Sequence, residues 1–196
     1  MVLNIICKGK IMMKKTMLIL LAGALALACG CAVSGQKFID INYRAQPAEE
    51  DKGLIGVALF RDQRPNIGPG YVGARVLLDR SRETYFVEGM DLSATLTRAV
   101  KSYLAARGYD AIASDAWEPE LKGLAQLKGD FDQVVTADIR VFECKAEKKG
   151  ATTDMVLDID MIFYLGHKKE RSIKKMPVVL KLEKTMVGFD RDKVEI

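Results

Sequence analysis

Residues 14 to 28 decide which part of this chain can fold at all. Lys14-Lys15 precede an unbroken run of small and apolar residues from Met17 to Ala28, which ends in Ala26-Leu27-Ala28. A basic start, a short apolar core and a small-residue site are the three parts of a secretory leader. The run falls short of the roughly 18 apolar residues that a membrane-spanning helix needs to cross a ~30 Å hydrocarbon core. The expectation is therefore a leader that is removed and a domain that matures outside the cytoplasm. Residues 1 to 11 read as an upstream mis-start, because a start at Met12 or Met13 puts Lys14-Lys15 where a leader's basic region belongs.

Cys29 stands directly after the small-residue site. In that position it resembles the acceptor of a bacterial lipoprotein signal, which implies a leader over 12–28, cleavage before Cys29, and acylation of that cysteine. Ala26 occupies the place where such signals usually carry Leu, with Leu25 and Leu27 on either side. Cys31 is a second acceptor in principle, but Cys29 lies between it and the apolar run. Gly30 follows the cysteine rather than the Asp that resembles an inner-membrane retention signal, so the expected location is the outer membrane, facing the periplasm.

Charge follows from the same cut. The whole chain has 30 Lys+Arg against 26 Asp+Glu. Lys8, Lys10, Lys14 and Lys15 leave with the leader and no acidic residue does, so residues 29 to 196 balance at 26 against 26. A neutral domain offers no electrostatic footprint for nucleic acid or for anionic lipid. Membrane attachment then rests on lipid; two acyl chains, at about 0.8 kcal/mol per buried CH₂, hold a protein stably. The remaining 168 residues suffice for one domain burying roughly 70% of its unfolded surface. The layout expected is a lipidated tether at 29–36 and a single envelope domain at 37–196. Cys31 and Cys144 could pair, but no spacing supports a disulfide.

Periodicity sets out the elements. Residues 37–44 alternate, with Ile39, Ile41 and Tyr43 on one side, and read as a strand. Residues 54–60 are continuously apolar, as in a strand buried on both faces. A Gly/Pro-rich loop at 65–70 precedes a hairpin of 71–78 and 84–87. Asp91 is a suitable N-cap; Leu92, Leu96, Ala99, Val100, Tyr103 and Leu104 make a helical stripe, and Gly108 closes it. A short strand at 109–113 and a weak helix at 118–127 follow. Then come a strand at 134–145, with Val135, Ala137, Ile139 and Val141 inward, and one at 153–165, with Met155, Leu157, Ile159, Met161 and Phe163 inward. A last strand lies within 178–186. These predict an α+β fold: a two-layer sandwich, mostly antiparallel, with one main helix on one face.

Motifs that carry chemistry are sparse. Gly68-Pro-Gly70-Tyr-Val-Gly73 fits the dinucleotide fingerprint in letters only, since Pro69 removes an N–H and a strand follows where a phosphate-binding helix should start. Asp154, Asp158 and Asp160, with Asp138 beside them, share an outer sheet face interleaved with Arg140 and Lys145. Carboxylates two apart on a strand diverge, so this reads as a solvated face rather than a cation cage. His167 to Lys175 reads as a basic, solvated turn. His167 is the only histidine, which excludes multi-histidine zinc sites, and its place in that turn speaks against a Ser/His/Asp triad. No cofactor and no catalytic residue is expected.

Leu54 to Phe60 followed by Arg61-Asp62-Gln63-Arg64-Pro65, and Ala106-Arg107-Gly108-Tyr109 at the helix end, resemble the YajG-type small bacterial lipoproteins. With the leader and the element order, the resemblance spans nearly all of the mature chain. It implies localisation and fold but no reaction. A looser likeness in topology connects the chain to envelope lipoproteins that assist other machines, including activators of penicillin-binding proteins. Arg61, Asp62, Gln63 and Arg64 are the candidate recognition patch at a strand end; the competing reading is local bracing of the turn before Pro65. The function expected is a non-catalytic binding or accessory module with an envelope protein or peptidoglycan partner. The alternative is a small-molecule carrier in which residues 65–73 lid a pocket between helix and sheet. The family members end in a further amphipathic helix, which would only be starting at 190–196 here. One helix cannot cover the whole sheet, so an exposed apolar patch is expected near the C-terminal strands.

Overall fold

The computed structural model describes residues 35–41 and 52–187. Cys29, Cys31, the leader and residues 190–196 lie outside them, as do Tyr43 and Arg44 of the first predicted strand. Along the chain run β1 (Gln36–Ile39), β2 (Gly53–Ala58), β3 (Arg61–Asp62), β4 (Tyr71–Val76) and β5 (Arg82–Val87). Then follow α1 (Leu92–Ala106), β6 (Tyr109–Ser114), α2 (Leu121–Gln126), β7 (Gln133–Lys149), β8 (Thr152–His167) and β9 (Ser172–Val187).

β7 organises the sheet. Along one edge it pairs over its whole length with β8, antiparallel, from Gln133 opposite His167 to Lys149 opposite Thr152. Its other edge is shared by three short strands in succession, all parallel to it: β2 at residues 133–135, β3 at 138–139 and β4 at 144–147. β6 extends the sheet beyond β2, also parallel, while β5 and then β1 extend it beyond β4. β9 pairs with β8 along its full length. The fold is α+β as predicted, and the sheet is mixed: its two long ladders are antiparallel, while most of the short ones are parallel. Antiparallel pairing is confined to the hairpins β4–β5, β7–β8 and β8–β9. Turn-linked strands must run antiparallel, whereas β2, β3 and β4 reach β7 from far away in sequence and face no such constraint.

α1 forms where its pattern says it should. The Asp91 carboxylate accepts a hydrogen bond from the Ala94 N–H at 3.0 Å and caps its start, and Gly108, at φ +87°, closes its end. Leu92 and Leu96 are buried against Phe60, Val72, Tyr85, Val87, Ala137, Ile139, Phe142 and Met161, with Val100, Ile159 and Phe163 at the margin. This is the inner face.

Val141 does not join it. A bulge between Ile139 and Val141 shifts the register, so Val141 comes opposite Asp160 and Phe142 opposite Ile159. One extra residue exchanges the two faces of a strand from that point on. Phe142, Cys144 and Ala146 therefore continue the inner face, while Met155, Leu157, Ile159, Met161 and Phe163 of β8 hold the side predicted for them.

The opposite, outer face is covered at one end. Trp117, Leu124, Leu127 and Phe131, from the segment around α2, pack with Ala58 and Val134. Gly166 makes room for this layer, because a Cβ there would lie 2.7 Å from Leu124 Cδ1 and 3.0 Å from Trp117 Cη2. β2 is thus covered on both faces, which is why its sequence is apolar without alternation. The predicted basic turn shrinks to residues 168–171, with Arg171 at φ +48°. Ser172 to Lys175 belong to β9, which begins six residues earlier than its apolar run suggests.

Candidate functional site

β2 leads straight into the four residues of the candidate patch, and they divide between two sides of the sheet. Arg61 lies opposite Asp138 of β7 and Asp62 opposite Ile139, so their side chains take different faces. Gln63 is exposed, and its backbone N–H donates to the Ile139 carbonyl at 2.9 Å.

Arg64 is the most enclosed of the four, with only 1% of its side chain exposed. Its Nε donates to Asp62 Oδ1 at 2.8 Å and its Nη2 to Asp62 Oδ2 at 2.7 Å, a bidentate pair, while its own backbone N–H also donates to Asp62 Oδ1. Its Nη1 donates to the carbonyls of Tyr71 at 2.6 Å and Phe142 at 3.2 Å, and its Nη2 reaches the Pro69 carbonyl at 3.5 Å. The reason lies in the edge of β7. β3 leaves it after Ile139 and β4 joins only at Cys144, so residues 140–143 have no strand on that side. Buried carbonyls need donors, and the guanidinium supplies them where a strand would have.

Burial pushes the Asp62 carboxyl up, but the hydrogen bonds and charge of Arg64 outweigh it and hold Asp62 below the ordinary aspartate value. The loop that follows is tied down at both ends. Leu92 N–H donates to the Pro69 carbonyl, Val87 N–H to Gly70 and Tyr71 N–H to Gly68.

Arg61 builds a second cluster on the outer face. Its Nη2 lies 2.6 Å and its Nε 2.7 Å from Asp138 Oδ1, and its Nη1 2.7 Å from Glu118 Oε2. The Tyr164 hydroxyl donates to Asp138 Oδ2 at 3.1 Å. Arg61 and Lys175 both stand 5.9 Å from the centre of the Tyr164 ring. Burial, then the hydrogen bond to Asp138 and its charge, raise the Tyr164 phenol above its ordinary value. Asp138 is buried in a stretch, Val134 to Ile139, that is apolar but for Thr136. An acid in such a run was the sequence signal for this cluster. Glu118 and Tyr164 carried none, because they reach it from elsewhere in the chain.

Two of the four aspartates on the predicted face, Asp138 and Asp154, are engaged in pairings. Asp154 accepts from Thr185 Oγ1 at 2.7 Å and pairs with Lys149 at 3.0 Å, and these hold its carboxyl below the ordinary value. Among the described residues no group of three or more His, Cys, Asp or Glu side chains converges to hold a metal. The basic turn is likewise engaged: Lys168 Nζ donates to the Gly129 carbonyl and stands over the Phe131 ring, and Lys169 pairs with Asp132. Cys144 is a free thiol, its pKa raised by burial and by the neighbouring Glu143 charge. No helix among the described residues is long and apolar enough to cross a membrane.

No family model and no curated protein matches the chain. It is similar to solved structures of uncharacterised bacterial proteins. One is a Xanthomonas campestris protein of the DUF330 family, at 12% identity and TM-score 0.43 over 74% of this chain and 78% of that one. Another, described only as an uncharacterised protein, has 12% identity and TM-score 0.43 over 76% and 80%. A third, a Helicobacter pylori homolog of the neuraminyllactose-binding hemagglutinin, has 10% identity and TM-score 0.35 over 79% and 80%.

Proposed function

We propose that this chain is a lipoprotein of the bacterial envelope, of the YajG type. It is acylated at Cys29, held at the outer membrane facing the periplasm, and acts by binding an envelope protein or peptidoglycan rather than by catalysis. The leader with Cys29 behind it supports the anchor. One structural observation supports a surface role over a carrier role. The space between α1 and the sheet is filled by Phe60, Tyr85, Leu92, Ile139, Phe142 and Met161, and the loop that would have been a lid is pinned by Arg64 and by the backbone N–H groups of Val87 and Leu92. A carrier needs an enclosed space of several hundred Å³. The hollow of about 760 Å³ that the described residues do form, beside Ala74, Ala146 and Met155, is open to solvent rather than enclosed.

Crosslinking in intact cells followed by mass spectrometry tests this. A reproducible protein or peptidoglycan adduct is the expected outcome. A small ligand that copurifies with the chain, with no macromolecular partner, overturns it in favour of the carrier. Mass spectrometry of the mature N-terminus tests the anchor: a diacylated or triacylated Cys29 is expected, and an unmodified N-terminus refutes it.

A further inference from the structure

β9 is a 16-residue strand that pairs with β8 on one side and with no other described strand on the other. Long unpaired edges are templates for a further strand, and soluble proteins usually shorten or cover them. On its inner face Val178, Leu180 and Leu182 continue the apolar band of Met161, Ile159 and Leu157, their partners on β8, and all three remain 43–46% exposed.

Pro177 shows which backbone groups are free. It lies opposite Ile162 in an uninterrupted ladder. A proline cannot donate to that ladder, so its nitrogen faces away from β8. By the alternation of an antiparallel strand, residues 179, 181, 183 and 185 then direct their N–H and C=O groups outward as well.

A second copy meeting this edge across a two-fold axis must place one residue opposite itself, and charge selects which one. Centring on Lys181 or Glu183 sets like charges face to face, centring on Val179 offsets Lys175 opposite Glu183 with Lys174 opposite Lys184, and centring on Leu180 sets Lys181 against Val179 and Glu183 against Pro177, with no charge pair across the seam. Centring on Leu182 sets Lys181 opposite Glu183 twice, Val179 opposite Thr185 and Val178 opposite Met186, with Pro177 and Val187 at the ends. Opposite charges across a strand pair stabilise it and like charges do the reverse. In this register the outward-facing residues 179, 181, 183 and 185 are the ones that become hydrogen-bonded pairs.

We propose that two copies of this chain associate through β9, antiparallel and centred on Leu182, into one continuous sheet. Leu182 meets its own copy at a non-hydrogen-bonded position, where Cα atoms lie about 4.5 Å apart, within the range a disulfide spans.

The test is Leu182→Cys in the full-length chain in cells, on a Cys144→Ser background, with Leu180→Cys and Val178→Cys beside it. Under mild oxidation the Leu182→Cys chain is expected to give a covalent dimer. The other two, which face Lys184 and Met186 of the partner rather than themselves, should stay near background. Adding Lys181→Glu should lower the dimer yield roughly fivefold through like-charge contacts, and Lys181→Glu with Glu183→Lys should restore it. Absence of the Leu182→Cys dimer overturns the proposal. So do equal yields at all three positions, which report chance collision, and insensitivity to the charge exchange.

Discussion

Arg64 braces Asp62 and also completes the backbone, where its sequence context left it between recognition and local bracing of the turn. Its guanidinium sits in the part of the β7 edge that no strand occupies. Replacing it by Ala leaves the Phe142 and Tyr71 carbonyls and the Asp62 carboxylate without their donor, at a cost of about 3 kcal/mol, read as a lower denaturant midpoint. Arg64→Lys should recover only part of that, since one ammonium cannot make both a bidentate pair and two carbonyl bonds. The contrast is Glu118→Gln. Glu118 is mostly exposed, so losing its pair with Arg61 should change stability by less than about 1 kcal/mol.

Asp62 links the same site to pH. Its pKa is lower folded than unfolded, so the unfolded chain binds the proton first as pH falls. The stabilisation from the Arg64 pair is complete at neutral pH, begins to fade near the ordinary aspartate value of about 4, and is gone once pH passes below the depressed native value. Asp62→Asn should be less stable at pH 7, and should lose less of its remaining stability than the parent between pH 5 and pH 2. Thermal unfolding across that range measures both.

At the scale of elements, the local signals were legible and the long-range ones were not. The cap at Asp91, the stripe through Leu96, the Gly108 stop and the alternation in β8 are all short-range patterns, and the structure follows them. The bulge after Ile139 was hidden, because Arg140 and Val141 continue an acceptable alternation; only the register against β8 reveals that the faces exchange. Pairing partners for β2, β3 and β4 were hidden too, since nothing in a strand's own residues names a neighbour dozens of residues away. The four-residue patch was visible as a charged strand end, but not that Arg61 and Arg64 serve different faces.

Two substitutions probe this level. Asp91→Ala removes one cap bond and should cost about 1 kcal/mol. Gly73→Ala should cost more, about 3 kcal/mol or failure to fold. A Cβ there would sit within 1.9 Å of the Cys144 carbonyl oxygen, at a φ of +149° that side chains avoid. Circular dichroism during urea unfolding ranks the two.

For the whole molecule, the expectation of apolar surface near the C-terminal strands is met by Val178, Leu180 and Leu182. The proposed leader and acylation at Cys29 concern place rather than fold. On the proposed acylation, Cys29→Ser should move the chain from the membrane fraction to the soluble envelope fraction while leaving its thermal unfolding unchanged.

The crowded edge of β7 also orders events in time. β2, β3 and β4 precede their common partner by 71 to 78 residues in register, and a parallel strand has no turn to bring its neighbour close. Contacts of that separation form slowly, because loop closure must precede them. In a chain delivered N-terminus first, β4 can pair with β5 and β2 with β6, but these pieces have no common edge to join until residues 133–149 arrive. β7, β8 and β9, joined by tight turns, can zip together at once and offer the edge on which the earlier strands assemble. The sheet that unites helix, hairpin and early strands therefore closes only when the last third of the chain has emerged.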